Sequence, residues 1–163
     1  MLDAKSHGGA VRIEIVNDPA AELREAVNVE LRTFNREQNP AWYAARAATE
    51  NDAQPLHIFA FSPGGQVCGG LFAETQFHWL KISILAVNSA LRGHGIGTRL
   101  VQQAEATALA RGCRYAYLDT MEYQAPIFYQ RLGYQIAGTL PDWDSHGHAK
   151  FFLTKKLASM MLV

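Results

Sequence analysis

Apolar and polar residues alternate from Val11 to Val16, the two-residue period of a half-buried strand, and Asn17-Asp18-Pro19 interrupts the pattern. The spacing then becomes helical. Leu23, Val27, Leu31 and Phe34 fall on one face, with Asp18 as a candidate cap, Pro19 at the first position and Pro40 as the stop. A shorter second helix is expected over residues 42–49. Two β-rich runs, 55–62 and 67–74, flank Pro63-Gly64-Gly65-Gln66 and predict a hairpin, and a turn near Gln76 leads into a third strand over 78–87. Ile96, Leu100, Ala104 and Ala108 mark a further helix face ending at Arg111-Gly112. Residues 115–119 read as a strand. A short helix over 125–132 carries Pro126 in its first turn and Gly133 after its end, and strands over 134–140 and 149–155 close the chain. The predicted order is β, α, α, three β, α, β, α, β, β, with no internal repeat.

This pattern belongs to one α/β domain of 163 residues, over 11–163, preceded by a loose polar tail at 1–10. A hydrophobic share of 48% against 18% charged residues supports a sizeable core and argues against a disordered chain. Fifteen Lys and Arg balance fifteen Asp and Glu, so no bulk positive field draws the protein to nucleic acid or anionic lipid. No apolar run approaches the ~20 residues that span a bilayer, and the opening residues lack the apolar stretch of a secretory signal. The expectation is a cytoplasmic protein with no nucleic-acid or membrane partner. Cys68 and Cys113 make neither a metal-binding spacing nor a disulfide framework, and read as reduced structural thiols. His146-Gly147-His148 lacks a third ligand at a recognisable spacing, so no metal is expected.

The most informative stretch runs from Leu85-Ala86-Val87 into Arg92-Gly93-His94-Gly95-Ile96-Gly97-Thr98. Three alternating glycines directly before a helix let several backbone N–H groups converge near its positive end, which is a phosphate cradle. The spacing fits neither a P-loop nor the dinucleotide fingerprint G-x-G-x-x-G.

In the setting of a strand before and a helix after, residues 92–97 resemble the Arg/Gln-x-x-Gly-x-Gly/Ala loop of the GNAT acyltransferase superfamily. Residues 125–134, Ala-Pro-Ile-Phe-Tyr-Gln-Arg-Leu-Gly-Tyr, are similar to that family's A-x-x-x-Y-x-x-x-G-F/Y segment. The resemblance follows element order over 11–157 and is specific over 80–140. It implies a central mixed, mostly antiparallel, twisted sheet flanked by about four helices. It also implies an N-acetyltransferase that moves an acetyl group from acetyl-CoA to a primary amine by direct attack. On that resemblance Leu85, Ala86 and Val87 supply the strand edge for the pantetheine arm, and Arg92, Gly93, His94, Gly95, Ile96, Gly97 and Thr98 the pyrophosphate cradle. Tyr129 corresponds to the general acid that protonates the departing thiolate.

The sequence departs from the family at the base. Residues 78–84 carry no carboxylate, and Glu122 stands where many relatives have asparagine. An acceptor ammonium must still lose a proton before attack, so Ser83 through a water relay, Asp119 and Glu122 are the candidates. Trp42, Tyr43, Trp79 and Trp143 are candidates for lining the acceptor cleft. The acceptor is expected to be a small-molecule or peptide amine, and a homodimer is compatible with the resemblance. The rival reading is a non-catalytic acyl-CoA binding or sensor module.

Overall fold

The computed structural model describes residues 11–157, so the expected tail at 1–10 lies outside the described residues. The chain gathers into two compact units, one up to Ala47 and one from Ala48. In the first, α1 (Ala21–Gln38) and α2 (Pro40–Ala47) meet at Asn39. The Asn39 N–H donates to the Asn35 carbonyl at 2.9 Å, and its side-chain oxygen accepts from the Trp42 N–H at 3.0 Å, so one residue closes α1 and caps α2. Arg36 lies over the Tyr43 ring and Arg46 over Trp42, which engages both aromatics within this unit.

Two expectations for this unit are corrected. Residues 11–16 form no strand, because alternation only makes a segment suitable for a ladder and among the described residues these pair with no other strand. Asp18 does not cap α1. Ala20 is the N-cap, with an extended ψ of 153° and no side-chain bond, so Pro19 stays outside the helix and Asp18 faces Arg24 at 4.0 Å.

The second unit is a six-stranded sheet of order β1-β2-β3-β4-β6-β5, built from β1 (Gln54–Phe61), β2 (Val67–Gln76), β3 (Trp79–Val87), β4 (Tyr115–Met121), β5 (Gln135–Leu140) and β6 (Lys150–Lys156). Only β3 and β4 pair in parallel. The crossover between them is α3 (Ile96–Ala110), and α4 (Pro126–Arg131) follows β4. The mixed, mostly antiparallel sheet and the four α-helices are those expected. Short 3-10 turns at Thr49–Asn51 and Ser89–Leu91 are additions.

The core lies beneath α3. Leu100, Val101, Ala104 and Ala108 on the helix are buried against Leu71, Leu80, Ala116, Leu118 and Leu153 of the sheet. The two alanines let the helix axis approach closely, and each buried leucine contributes roughly 2 kcal/mol of apolar transfer. Beyond the helix the Cys113 N–H donates back to the Ala108 carbonyl at 2.9 Å, ending α3 and turning the chain into β4. Arg111 Nη1 fastens that end by donating to the Gln54 and Pro55 carbonyls and the Thr75 hydroxyl. Cys68 and Cys113 are free and buried, and burial pushes the Cys113 thiol up. No helix among the described residues is long and apolar enough to cross a membrane.

Candidate active site

The site begins where the parallel pair comes apart. β3 and β4 are in register from Trp79 opposite Tyr115 to Ile82 opposite Leu118, and the pairing stops there. β3 stays paired with β2 as far as Val87 opposite Gly69, and β4 stays paired with β6 as far as Met121 opposite Lys150. Each strand therefore follows its other neighbour. The register of β3 against β2 skips Ser83, since Ile82 opposes Ala73 and Ile84 opposes Phe72. Such a bulge bends a strand, and this one sits at the point of divergence. The gap is a cleft of about 790 Å³ walled by the ends of β3 and β4, the start of α3 and α4.

At one end lies the glycine loop. Asn88 Oδ1 accepts from the Ala90 N–H at 3.0 Å, and Arg92 Nε donates to the Val87 carbonyl at 3.2 Å, so two side chains hold the loop against the strand it leaves. His94 turns back so that its Nδ1 lies 2.9 Å from the Arg92 carbonyl, and its side chain is not part of the cleft wall. Gly95 is the N-cap of α3 with φ of 76°, a left-handed conformation that a side chain would strain. It offers no capping group, so the N–H groups of Ile96, Gly97 and Thr98 lack intrahelical acceptors and sit at the positive end of the dipole. A Cβ on Gly95 would meet nothing within 4 Å, whereas one on Gly97 would lie 3.3 Å from Phe128 Cζ. Gly95 is open to a ligand, and Gly97 lets α4 pack against α3.

That packing positions Tyr129. Ala125 and Pro126 start α4, and the Tyr134 N–H donates to the Tyr129 carbonyl at 3.1 Å where it ends. The Tyr129 ring makes edge contacts with Phe128 at 5.1 Å and Tyr134 at 5.8 Å, yet the residue also walls the cleft. Its hydroxyl makes no hydrogen bond within the described residues. Burial pushes its phenol up to about 12, which keeps it a proton donor throughout the neutral range. Burial and the Glu105 carboxylate raise the Tyr134 phenol further, and Lys155 Nζ holds Glu105 at 2.7 Å behind it.

The three candidate bases part company. Ser83 is exposed at the bulge and lines the cleft. Asp119 also lines it, but its Oδ1 is 2.7 Å from Lys150 Nζ, and that ammonium lies 4.8 Å from the centre of the Trp143 ring. An incoming ammonium would have to compete with Lys150 for this carboxylate. Glu122 Oε2 accepts from the Ala149 N–H at 3.0 Å while the Glu122 N–H donates to the Ala149 carbonyl. Glu122 therefore extends the β4/β6 ladder and stands outside the cleft wall.

Leu85, Ala86, Val87, Arg92, Gly93, Gly95, Ile96, Gly97 and Thr98 all reach the cleft. Sequence reasoning missed Thr120, Tyr123 and Gln124 in its opposite wall. Only the anchored position of Ala125 after them hinted that they belong there. Trp79 stacks on Tyr115 at 4.8 Å and borders a separate cavity of about 390 Å³ with Glu74 and Lys81. His146 and His148 both engage Asp144, and among the described residues no three His, Cys, Asp or Glu gather as a metal site.

The profile of the Acetyltransferase (GNAT) family matches residues 21–134. The blasticidin-S acetyltransferase of Streptomyces morookaense is 39% identical over 131 residues, 78% of this chain and 96% of that protein. A crystal structure of an acetyltransferase from Bacillus cereus superposes with a TM-score of 0.69 at 25% identity, covering 88% of this chain and 98% of that one. An aminoglycoside 6'-N-acetyltransferase solved with coenzyme A shares the fold at a TM-score of 0.57 and 23% identity, over 64% of this chain and 74% of the other.

Proposed function

The chain belongs to the GNAT family of acetyltransferases, and from that premise we propose that it transfers the acetyl group of acetyl-CoA to a primary amine by direct attack. The observation that carries the reading is the cleft opened by the parting of β3 and β4, with unshielded backbone N–H groups at one end and Tyr129 in its wall. The glycine loop suits a pyrophosphate because its donors are backbone groups at a helix start and nothing crowds Gly95. The edge of β3 that β4 leaves open, at Leu85 and Val87, suits the amides of the pantetheine arm.

In the proposed reaction the amine nitrogen attacks the acetyl carbonyl carbon, and the charge developing on that oxygen is met by a backbone N–H near Val87. As the C–S bond breaks, Tyr129 gives its proton to the sulfur. Its phenol holds a proton more tightly than a thiol of about 8.5, so transfer must accompany bond cleavage rather than precede it. Before attack the acceptor ammonium gives one proton to water at Ser83, the exposed hydroxyl at the bulge, and the second nitrogen proton, shed as the amide forms, restores the Tyr129 phenol. Similarity to an enzyme named for blasticidin S supports a small-molecule acceptor.

The test is release of free CoA thiol from acetyl-CoA when amines are added, over a panel of blasticidin S, polyamines, aminoglycosides and a peptide. The expected result is thiol release matched by acetylated amine for at least one small molecule. Tight acetyl-CoA binding with no thiol release across the panel would favour the sensor reading.

A further inference from the structure

The turn between β5 and β6, residues 141–149, is organised around one carboxylate. Asp144 Oδ1 accepts from the His146 N–H at 2.9 Å and the His148 N–H at 3.2 Å, and Asp144 Oδ2 lies 2.7 Å from His148 Nδ1. Asp142 Oδ1 accepts from the Gly147 N–H at 2.7 Å, and the Trp143 N–H donates to the His148 carbonyl at 2.9 Å. Asp142 and Ser145 hold φ of 48° and 59°, left-handed conformations that cost energy in a residue with a side chain and persist where the surroundings impose them. The bonds between Glu122 and Ala149 fasten the next residue to the end of β4.

A carboxylate only accepts hydrogen bonds, so His148 Nδ1 carries a proton and the neutral ring presents Nε2 as an acceptor. This is the arrangement in which a carboxylate orients an imidazole for proton transfer. The ring makes no second hydrogen bond among the described residues, and its side chain is 47% exposed, so Nε2 is open to water. It meets the Tyr123 ring edge-on at 5.1 Å, and Tyr123 walls the cleft that Ser83 also lines. Water is a weak base, so a proton received by water at Ser83 has to pass to a stronger one. We infer that His148 is that terminal acceptor, acting through water, with Asp144 as its positioning residue. The ammonium becomes a neutral amine, Nε2 takes the proton to form an imidazolium facing the Asp144 carboxylate, and the imidazolium returns the proton to solvent. This rests on the acetyl-transfer reading above.

The charged and titratable groups around the ring are Asp142, Asp144 and His146 of its own turn, Glu122 and Tyr123 after β4, and Lys150 of β6 with its partner Asp119. Histidine is the side chain whose ordinary titration falls between pH 5 and 8, so His146 supplies the control. The experiment is kcat against pH from 5 to 9 at saturating amine and acetyl-CoA, which reads the groups of the bound complex. A base must be neutral to act, so the wild type should lose kcat as the pH falls through the imidazole range. His148→Gln should lower kcat at pH 8 by about 10² or more and flatten this acidic limb, with melting temperature and calorimetric acetyl-CoA affinity unchanged. His146→Gln should keep both kcat and the limb. Asp144→Asn leaves an oxygen for the N–H groups but removes the charge opposite the imidazolium, so the limb should move to lower pH with a loss of about tenfold. Wild-type kcat in His148→Gln would overturn the inference and leave acetyl transfer standing. A reduced kcat with the acidic limb intact and a lowered melting temperature would also overturn it, by making His148 a support of the turn. Failure of the wild-type protein to release thiol with any amine would remove both readings.

Discussion

The two walls of the cleft are built in opposite ways. On the β3 side the proposed donors are backbone N–H groups, and side chains such as Asn88 and Arg92 hold that backbone in place. On the β4 side the cleft-facing groups are side chains, held by neighbours a few residues away in the chain or, for Asp119, by a side chain from β6. Tyr129 is set by Phe128 and Tyr134, Asp119 by Lys150, and Gln124 by Thr120 and Met121. The difference fits the proposed function. A pyrophosphate needs several converging donors of fixed charge, which a helix start with glycines supplies, whereas moving a proton needs a group that titrates.

The sharpest way to break this contrast is Tyr129→Phe. The ring contacts survive and the proton donor is deleted, so kcat should fall by roughly 10² to 10⁴ while stability changes by about 1 kcal/mol at most and acetyl-CoA affinity holds. Wild-type turnover would leave the β4 wall without its acid. The same variant carries a pH signature. In the folded protein the phenol keeps its proton to about 12, while in the unfolded chain it titrates near its usual value of 10. Stability from the neutral phenol is thus fully present below pH 10 and is lost as the pH rises through the folded value. Melts across pH 9 to 12 should show a shallower alkaline decline in the Phe variant than in the wild type.

On the backbone wall, Gly95→Asp places a carboxylate and an L side chain at a position with φ of 76°, facing the proposed pyrophosphate. Affinity for acetyl-CoA should drop by more than tenfold in a calorimetric titration of the folded variant. Full affinity would show that the loop is only a strand-to-helix turn.

The smallest effect is expected at Asp119→Asn. Its pair with Lys150 is half exposed on the carboxylate side, which limits its stabilising effect to about 1 kcal/mol, and a paired carboxylate is a poor candidate for receiving the amine proton. The variant should keep kcat within about tenfold of wild type. A loss of 10² or more would move the base from the bulge at Ser83 to β4.

Much of this molecule was legible in its residues one segment at a time. The helix face Ile96, Leu100, Ala104, Ala108, the hairpin at Pro63-Gly64-Gly65-Gln66 and the glycine run before α3 are local patterns with local causes, and each stands where expected. The residues of the β3 wall could be named for the same reason, since they are consecutive in the chain. What failed was what needs a partner. Residues 11–16 alternate correctly and still form no strand, because the ladder that would make them one is absent from their own sequence. Glu122 and Asp119 lie three residues apart as interchangeable carboxylates, and only the tertiary structure sends one to the Ala149 N–H and the other to Lys150 at the cleft. Gln124 carried no signal at all. Its orientation depends on two hydrogen bonds to one oxygen, and its place in the cleft depends on β3 and β4 following different neighbours. The sequence alone determined which backbone stretch leaves its N–H groups open at a helix start, because glycine spacing and helix polarity act over a few adjacent residues. The tertiary structure alone decided which polar side chains share a cleft with that stretch, because hydrogen bonds and ion pairs to other strands send chemically equal groups to different places.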